Sequence, residues 1–316
     1  RTDQPRGPDL FATDLEDVRN HVALRSTASS HALHTRLAQT NEGQCLLLFS
    51  PELRQLNSAS AFEDELALRK KTLISLPTAS FPDETTWPWV TTLDTSRPTD
   101  SYFLQQSLRD GLEELQPNLI GQGLGRRNAG WLASQASPAQ VACHIASLLI
   151  QRMPGGQKLY VRWTDPAVLW AVWPALTPEQ QAFVMGPIKE WWLQDPAGNL
   201  IKLAPKTSTR PSQKLALTPA QWDDLHDIQA LNRAINIYLS EHPALHTLSA
   251  EIMAALATRA LEAMRQVRSQ AIGGVPQLDD VAFEAMANML ESERSLGAAP
   301  TKPRSATHNT DTLNAQ

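Results

Sequence analysis

Helical spacing of apolar residues marks the C-terminal third of the chain. From Thr218 onward the pattern predicts three helices, separated by His242-Pro243 and by Gly273-Gly274-Val275-Pro276. The first of these helices carries an apolar face formed by Trp222, Leu225, Ile228, Ile235 and Tyr238. No strand pattern interrupts these helices, so we predict an all-helical lobe over residues 218–294. Residues 295–316 are small, polar and proline-containing, which predicts a disordered tail.

Short apolar runs alternate with helical stripes before residue 205. Cys45–Phe49 is a continuous apolar run of strand length, which predicts a strand buried on both faces, and Thr72–Pro77 predicts a second strand. Leu104, Leu108 and Leu112 fall on one helical stripe. This alternation predicts an α/β lobe with a small mixed sheet and flanking helices, and an α+β arrangement is the alternative.

Changes in composition suggest where these lobes begin and end. Residues 206–217 are rich in Pro, Ser, Thr and Lys, which predicts a linker. Residues 1–42 show loose helical spacing broken by a Ser-rich segment, so we expect a partly helical extension. The predicted order is an extension over 1–42, an α/β lobe over 43–205, a linker over 206–217, a helical lobe over 218–294 and a tail over 295–316.

The stretch from Gly155 to Leu203 contains the clearest local signals. Leu159–Trp163 is rich in β-formers and predicts the central strand. Asp165-Pro166 is suited to a helix start, with a capping side chain before a proline in the first turn. Thr177-Pro178-Glu179-Gln180 predicts a second start with a capping box, and Thr218-Pro219-Ala220-Gln221 repeats this motif. Two apolar runs around a five-residue turn then predict a hairpin.

Charge and cysteine content exclude several classes of partner. The 316 residues carry a formal net charge of −5, and the basic clusters are short, so we do not expect nucleic acid as a partner. The two cysteines lie far apart in the sequence and indicate neither a zinc site nor a disulfide framework. No signal-peptide pattern or membrane-length apolar run is visible, so we expect a cytoplasmic protein without membrane insertion.

Catalytic motifs are missing from the sequence. It contains no G-x-S-x-G, H-E-x-x-H, C-x-x-C or Walker motif, and the glycine-rich loop Gly121–Arg127 lacks the spacing of a phosphate loop. His31 and His34 are one helical turn apart but have no third ligand nearby in the sequence. We therefore expect no catalytic centre, no metal and no cofactor, so the protein is not expected to be an enzyme.

Two features leave an alternative open. Asp165 follows a predicted strand, where a carboxylate could be catalytic or bind a ligand, although a helix cap is the simpler interpretation. The nine tryptophans all lie at or before Trp222; most are expected in the core, and exposed ones would suit binding. The alternative is an α/β enzyme or small-ligand-binding protein that uses Asp165, the Gly121–Arg127 loop and nearby tryptophans.

Several short segments, in this order, resemble a known family. They read GWLAS, YVRWTDPAVLWAVWPALTPEQ, GPIKEWW and DPAGNLIKL, and they resemble the central motifs of the type VI secretion effector adaptors, the Tap chaperone family. The residues that carry the resemblance are Trp131, Arg162, Trp163, Asp165, Pro166, Leu169, Gln180, Gly186, Pro187 and Trp191. One position departs from it, because Ala167 stands where the family usually has an arginine after Asp-Pro.

The resemblance implies a function in protein delivery. A member of this family is an adaptor-chaperone that binds a toxin effector in the bacterial cytoplasm and helps to load it onto the VgrG spike protein. The expected partners are the cognate effector and VgrG, and no cofactor is implied. We expect residues 218–293 to supply most of the effector selectivity, with the apolar face from Trp222 to Tyr238 as the candidate contact, while the α/β lobe serves the common secretion step.

Overall fold

A six-stranded antiparallel sheet organises the first 205 residues. The computed structural model describes residues 28–36, 44–51, 61–115, 126–153, 155–205, 214–241, 248–270 and 277–297. The main-sheet strands are β1 (Gln44–Phe49), β2 (Thr72–Leu73), β3 (Trp89–Leu93), β4 (Asn128–Ser134), β7 (Ile188–Gln194) and β8 (Leu200–Leu203). Two short strands, β5 (Ile150–Arg152) and β6 (Lys158–Tyr160), form a separate hairpin. The main sheet runs in the order β2-β3-β1-β4-β7-β8, and all of its pairings are antiparallel.

Helices cover the sheet and continue beyond it. They are α1 (28–36), α2 (Ala61–Leu68), α3 (Pro98–Glu113), α4 (Pro138–Leu149), α5 (Pro166–Val172), α6 (Pro178–Met185), α7 (Pro219–Glu241), α8 (Ala250–Gln270) and α9 (Leu278–Gly297), with short 3-10 turns at Glu84–Thr86 and Trp173–Ala175. Helices α7, α8 and α9 pack on one another, and α7 also packs against α5. The part of the chain described between 214 and 297 is helical apart from its connections.

The two faces of the sheet are buried under different sets of helices. Alternate residues of β1 point to opposite faces, as strand geometry requires, with Leu46 and Leu48 on one face and Leu47 on the other. The Leu47 face packs against Leu33, Phe62 and residues of α3. The opposite face belongs to a larger hydrophobic cluster that includes α4, α5 and α6 and extends into α7, α8 and α9. The hydrophobic core is therefore continuous from the sheet into the helical lobe.

The predicted fold class is confirmed, and the α+β form is the one observed. Cys45–Phe49 is a strand buried on both faces, as its continuous apolar run predicted. The antiparallel order follows from hairpin and crossover connections that return the chain alongside its neighbours. The proposed domain boundaries stay predictions, since most of the predicted linker and tail lie outside the described residues.

One strand prediction was wrong in its position. The central place in the sheet belongs to β1 and β4, whereas Lys158–Tyr160 pairs with Ile150–Arg152 in the peripheral hairpin. The chain turns back immediately after α4, and the Val161 amide donates to the Leu149 carbonyl. The residues after Tyr160 then form a turn that leads into α5, in which the Asp165 amide donates to the Arg162 carbonyl.

A buried ionic cluster fixes α2 and α3 to the sheet. Arg127, just before β4, is 4% exposed and makes ion pairs with Glu63 on α2, Asp110 on α3 and Glu114 just after α3. Burial lowers the pKa of the Arg127 guanidinium, but the charges of Asp110 and Glu114 outweigh that effect and raise it. Burial and the charge of Glu114 raise the pKa of the Asp110 carboxyl well above its usual value. The cluster therefore has more acidic groups than its one guanidinium can neutralise, and Arg127 is indispensable to it.

We predict that Arg127→Met destabilises the protein by about 3–5 kcal/mol at pH 8, because it removes the guanidinium that pairs with these carboxylates. Since the pKa of Asp110 is already raised, folding favours its protonated form, and stability from this group falls as pH rises through the folded pKa. The loss in free energy of unfolding caused by Arg127→Met should therefore be larger at pH 8 than at pH 5, as measured by urea unfolding.

The matched control for this prediction is Arg109→Met. Arg109 forms an exposed ion pair with Glu113 on the same helix, so its loss should cost no more than about 0.5 kcal/mol at either pH. Equal deficits for the two variants would contradict the role given to Arg127.

Candidate functional site

Arg126 and Arg127 lie next to each other but serve opposite faces of the sheet. Arg127 joins the carboxylates of α2 and α3, while Arg126 lines a cavity together with residues of α5 and α7. Arg126 is 6% exposed, and its Nη1 donates to the Gln194 carbonyl at 2.6 Å. Its Nη2 has no hydrogen-bond partner in the part of the chain that the structure describes. A buried guanidinium with an unused donor is unusual, because desolvating a charged donor is costly.

Arg126 lines a cavity of about 510 Å³ between the sheet domain and the helical lobe. One wall comes from the β6–α5 connection and the start of α5, with Leu159, Arg162 and Val168. The other wall is one face of α7, with Leu225, Gln229, Asn232 and Asn236 at helical spacing. The volume lies within the range of ligand pockets, and the lining combines apolar side chains with a few polar groups.

A repeated hexapeptide fixes α7 at the edge of this cavity. Ala175–Gln180 and Ala216–Gln221 both read Ala-Leu-Thr-Pro-x-Gln, and each ends in a capping box at a helix start. Gln180 Nε2 donates to Gln221 Oε1 at 3.0 Å, and Gln221 Nε2 donates to Gln180 Oε1 at 2.7 Å.

The same pairing extends to the backbone of each hexapeptide. Gln180 Nε2 donates to the Ala216 carbonyl and Gln221 Nε2 donates to the Ala175 carbonyl, so the two hexapeptides are bonded reciprocally. Both side chains are buried, so their amide groups depend on one another for hydrogen bonding. The start of α7 is therefore fixed against the start of α6.

Asp165 lies in the same cavity, where it has a structural role. Its Oδ1 accepts from the Ala167 amide at 2.9 Å and caps α5, and Pro166 occupies the first turn. Burial raises the pKa of the Asp165 carboxyl, and the nearby charge of Arg126 opposes the rise. Burial likewise lowers the pKa of Arg126, against the charges of Asp165, Glu114 and Asp195. The helix-cap interpretation of Asp165 therefore accounts for the hydrogen bond that its Oδ1 accepts from the Ala167 amide.

The cavity lining includes the position where the sequence departs from the adaptor pattern. Ala167 lines the cavity next to Asp165, so the family's usual arginine is replaced there by a methyl group. Arg162 is exposed and also lines the cavity. Of the residues that carry the resemblance, Arg162 and Asp165 both line the cavity, together with Arg126. The glycines of the Gly121–Arg127 loop lie outside the described residues.

The tryptophans of the resemblance are core residues, and the indoles of two of them, Trp131 and Trp191, are hydrogen-bonded. Trp131 Nε1 donates to Ser107 Oγ at 2.9 Å, and Trp191 Nε1 donates to the Ala129 carbonyl at 3.1 Å. Gly130 has φ +124°, and a Cβ there would lie 2.2 Å from the Trp192 carbonyl oxygen. The Gly-Trp pair is therefore needed for the close approach of β4 and β7.

The remaining residues of the resemblance also support the fold. Trp163 and Leu169 are fully buried, which removes Trp163 from the surface that the alternative hypothesis needed. Gly186 ends α6 with φ +48°, and a Cβ there would meet the His144 ring at 2.3 Å. The Pro187 carbonyl accepts from Ser134 Oγ at 2.7 Å.

The predicted effector-binding face of α7 is occupied by the protein's own core. Trp222, Ile228, Ile235 and Tyr238 are buried, between 2% and 7% exposed, and belong to the larger hydrophobic cluster. Tyr238 packs edge-on against the Phe283 ring of α9. An amphipathic helix buries its apolar side against neighbouring helices, so these four residues do not form a partner surface. Leu225 is half-buried and lines the cavity.

Grouped metal-binding side chains and membrane-spanning helices are both absent from the described residues. Within the described ranges no three His, Cys, Asp or Glu side chains are grouped as metal ligands. His31 is exposed, and His34 Nε2 lies 3.0 Å from the Thr95 carbonyl oxygen. A second pair of histidines, His242 and His246, four residues apart in the sequence, lies outside the described residues. None of the described helices combines the length and hydropathy that a membrane span requires.

Comparisons with known proteins give one match. A family model described as "Domain of unknown function (DUF4123)" matches residues 17–182, which is just over half of the chain. Searches of curated proteins and of solved structures found no match. The family region ends within α6 and includes Gln180, whereas Gln221 lies outside it, so the reciprocal amide pair connects the family region to the helical lobe.

We predict that Gln180→Met and Gln221→Met each cost about 1–3 kcal/mol, because each leaves the other amide without its buried partner. The double variant should cost less than the sum of the two, with a coupling energy of about 0.5–3 kcal/mol. Chemical unfolding of the four proteins measures this coupling.

Gln140→Met is the matched control, since Gln140 completes the capping box of α4 but is exposed. It should show only the smaller cost of a lost cap. Additive effects of the two buried substitutions would contradict the lobe-joining role of the pair.

Proposed function

The chain belongs to the DUF4123 family, and on that basis we propose that it is an adaptor-chaperone for a type VI secretion toxin effector. The domain is known from type VI effector adaptors of the Tap type. The adaptor would hold its effector in the bacterial cytoplasm and help to load it onto VgrG. The observation that carries the proposal is the family match together with the residues that resemble the adaptor motifs.

The local structure of those residues is consistent with a binding protein. Most of the residues of the resemblance cap helices, fill the core or permit close strand approach. Such a scaffold would conserve its fold while the exposed surfaces vary with the partner. The cavity between the sheet domain and the helical lobe contains residues of both, including Arg162 from the family region and Asn232 from the lobe beyond it. We propose that this boundary is where the effector is recognised.

We also propose that the protein has no catalytic activity of its own. Asp165, the residue with the best catalytic position in the sequence, uses its bonded oxygen as a helix cap. The Nε2–H of His144, which follows Cys143, donates to the Val184 carbonyl, and burial lowers the pKa of the imidazole. Both side chains thus bond to backbone groups in the described part of the chain, and neither bond is the nucleophile–base pair that acyl or phosphoryl transfer requires.

We predict that deletion of the gene abolishes secretion of one toxin while the other type VI substrates are still secreted. An adaptor is specific to its cargo, so the loss should be selective. The measurement is quantitative mass spectrometry of culture supernatants, with complementation by the full chain as the control.

Affinity purification of the full chain from the native bacterium should recover the same toxin together with VgrG. Normal secretion of all toxins in the deletion strain would contradict the proposed function. Recovery of the toxin without VgrG would limit the proposal to effector binding.

A further inference from the structure

We propose that the cavity between α5 and α7 binds an acidic–apolar peptide segment of the partner protein, with its Asp or Glu carboxylate bonded to Arg126. The partner as the source of the segment rests on the proposed function, but the chemistry of the site does not. Three features of the described residues support it: the unused guanidinium donor, the charged groups around it and the apolar walls.

The unused donor is the first of these features. Arg126 is 6% exposed, its Nη2 is without a hydrogen-bond partner in the described part of the chain, and its side chain lines the cavity. A carboxylate is the natural partner of a guanidinium, since the bond is charge-assisted and geometrically matched. A carboxylate bound there would accept the hydrogen bond from Nη2 that water does not accept, because the guanidinium is buried.

The groups around Arg126 favour a singly charged anion. Arg162 adds a positive charge at the open side, while the charges of Asp165, Glu114 and Asp195 act on Arg126. These carboxylates reduce the positive potential, so a dianionic phosphate would meet more repulsion than a carboxylate does. On the α7 wall, Arg233 is already paired with Asp279.

The remaining lining indicates that the occupant has an apolar body. Leu159, Val168 and Leu225 face the cavity together with the amide side chains of Gln229 and Asn232. Apolar walls with convergent polar groups are typical of sites that bind a side chain and its backbone together. A neighbouring groove of about 550 Å³ differs, because its Arg268 side chain is 35% exposed and is paired with the Asp227 carboxylate.

Isosteric charge changes in the cavity wall test the inference without truncating the chain. Asn232→Asp places a carboxylate in the cavity without a change of size, and it should repel the ligand and compete for Arg126. Asn288→Asp is the matched control, because it makes the same change at an exposed position of α9. Arg126→Gln removes the donor, and its folding is checked by thermal unfolding.

The probe is the peptide N-acetyl-Leu-Asp-Leu-amide, titrated into the full chain and followed by NMR and calorimetry. Its Asn counterpart should bind about tenfold or more weakly, since the charge-assisted hydrogen bond is lost. Asn232→Asp and Arg126→Gln should each weaken the Asp peptide by about tenfold or more, whereas Asn288→Asp should leave it unchanged. Inorganic phosphate should not displace the peptide.

Several results would overturn the inference. They are equal binding of the Asp and Asn peptides, absence of binding by the Asp peptide, equal effects of Asn232→Asp and Asn288→Asp, or displacement by phosphate. These titrations need no secretion partner, so their outcome is independent of the deletion experiment. Selective loss of one toxin together with a failed titration would retain the adaptor function and reject the cavity as its site.

Discussion

A reciprocal pair of buried amides determines how the two parts of the molecule fit together. Gln180 and Gln221 bond to each other, each completes the capping box of its own helix, and each also donates to the backbone of the other hexapeptide. Since both amides are buried, neither can exchange its partner for water without cost. The pair fixes the start of α7, and one face of α7 forms a wall of the cavity.

Arg126 and Arg127, two adjacent arginines just before β4, have different surroundings. Arg127 is surrounded by carboxylates and secures α2 and α3, whereas Arg126 on the opposite face retains an unused donor. The two side chains therefore lie in different environments although their residues are adjacent in the chain. One arginine is thus paired with three carboxylates, whereas the other keeps a buried donor without a hydrogen-bond partner among the described residues. A fragment ending at Leu203 would lose Gln221 and uncover the α5 surface, so point variants test function more cleanly than truncation.

Local signals in the sequence predicted much of the fold because they are set by neighbouring residues. The caps at Asp165, Thr177 and Thr218 and the buried strand Cys45–Phe49 were all recognisable from short patterns. β3 and β4 were missed, since Trp89–Leu93 follows a proline-rich loop and Asn128–Ser134 is built largely from small residues. The central position given to Leu159–Trp163 was wrong because sheet order depends on distant pairing.

The site was less predictable than the fold. The repeated Thr-Pro-x-Gln motif was visible, but the sequence gives no indication that two helix starts bond to each other across 41 positions. The apolar face of α7 was recognised correctly as a pattern, yet its use was misjudged, because a stripe that faces a partner looks the same as one that faces the core. Arg126 was seen as part of a glycine-rich loop, and only its burial beside α5 indicates a binding role.

Site-specific photo-crosslinking in the native bacterium tests the central claim, that a partner protein is recognised at the cavity between α5 and α7, most directly. A photoreactive residue at Gln229, exposed on the α7 wall, is compared with one at Tyr102, exposed on α3 at the opposite face of the sheet. The account predicts an adduct between position 229 and the toxin whose secretion depends on this chain, with little or none from position 102. An adduct from position 102 alone would contradict it.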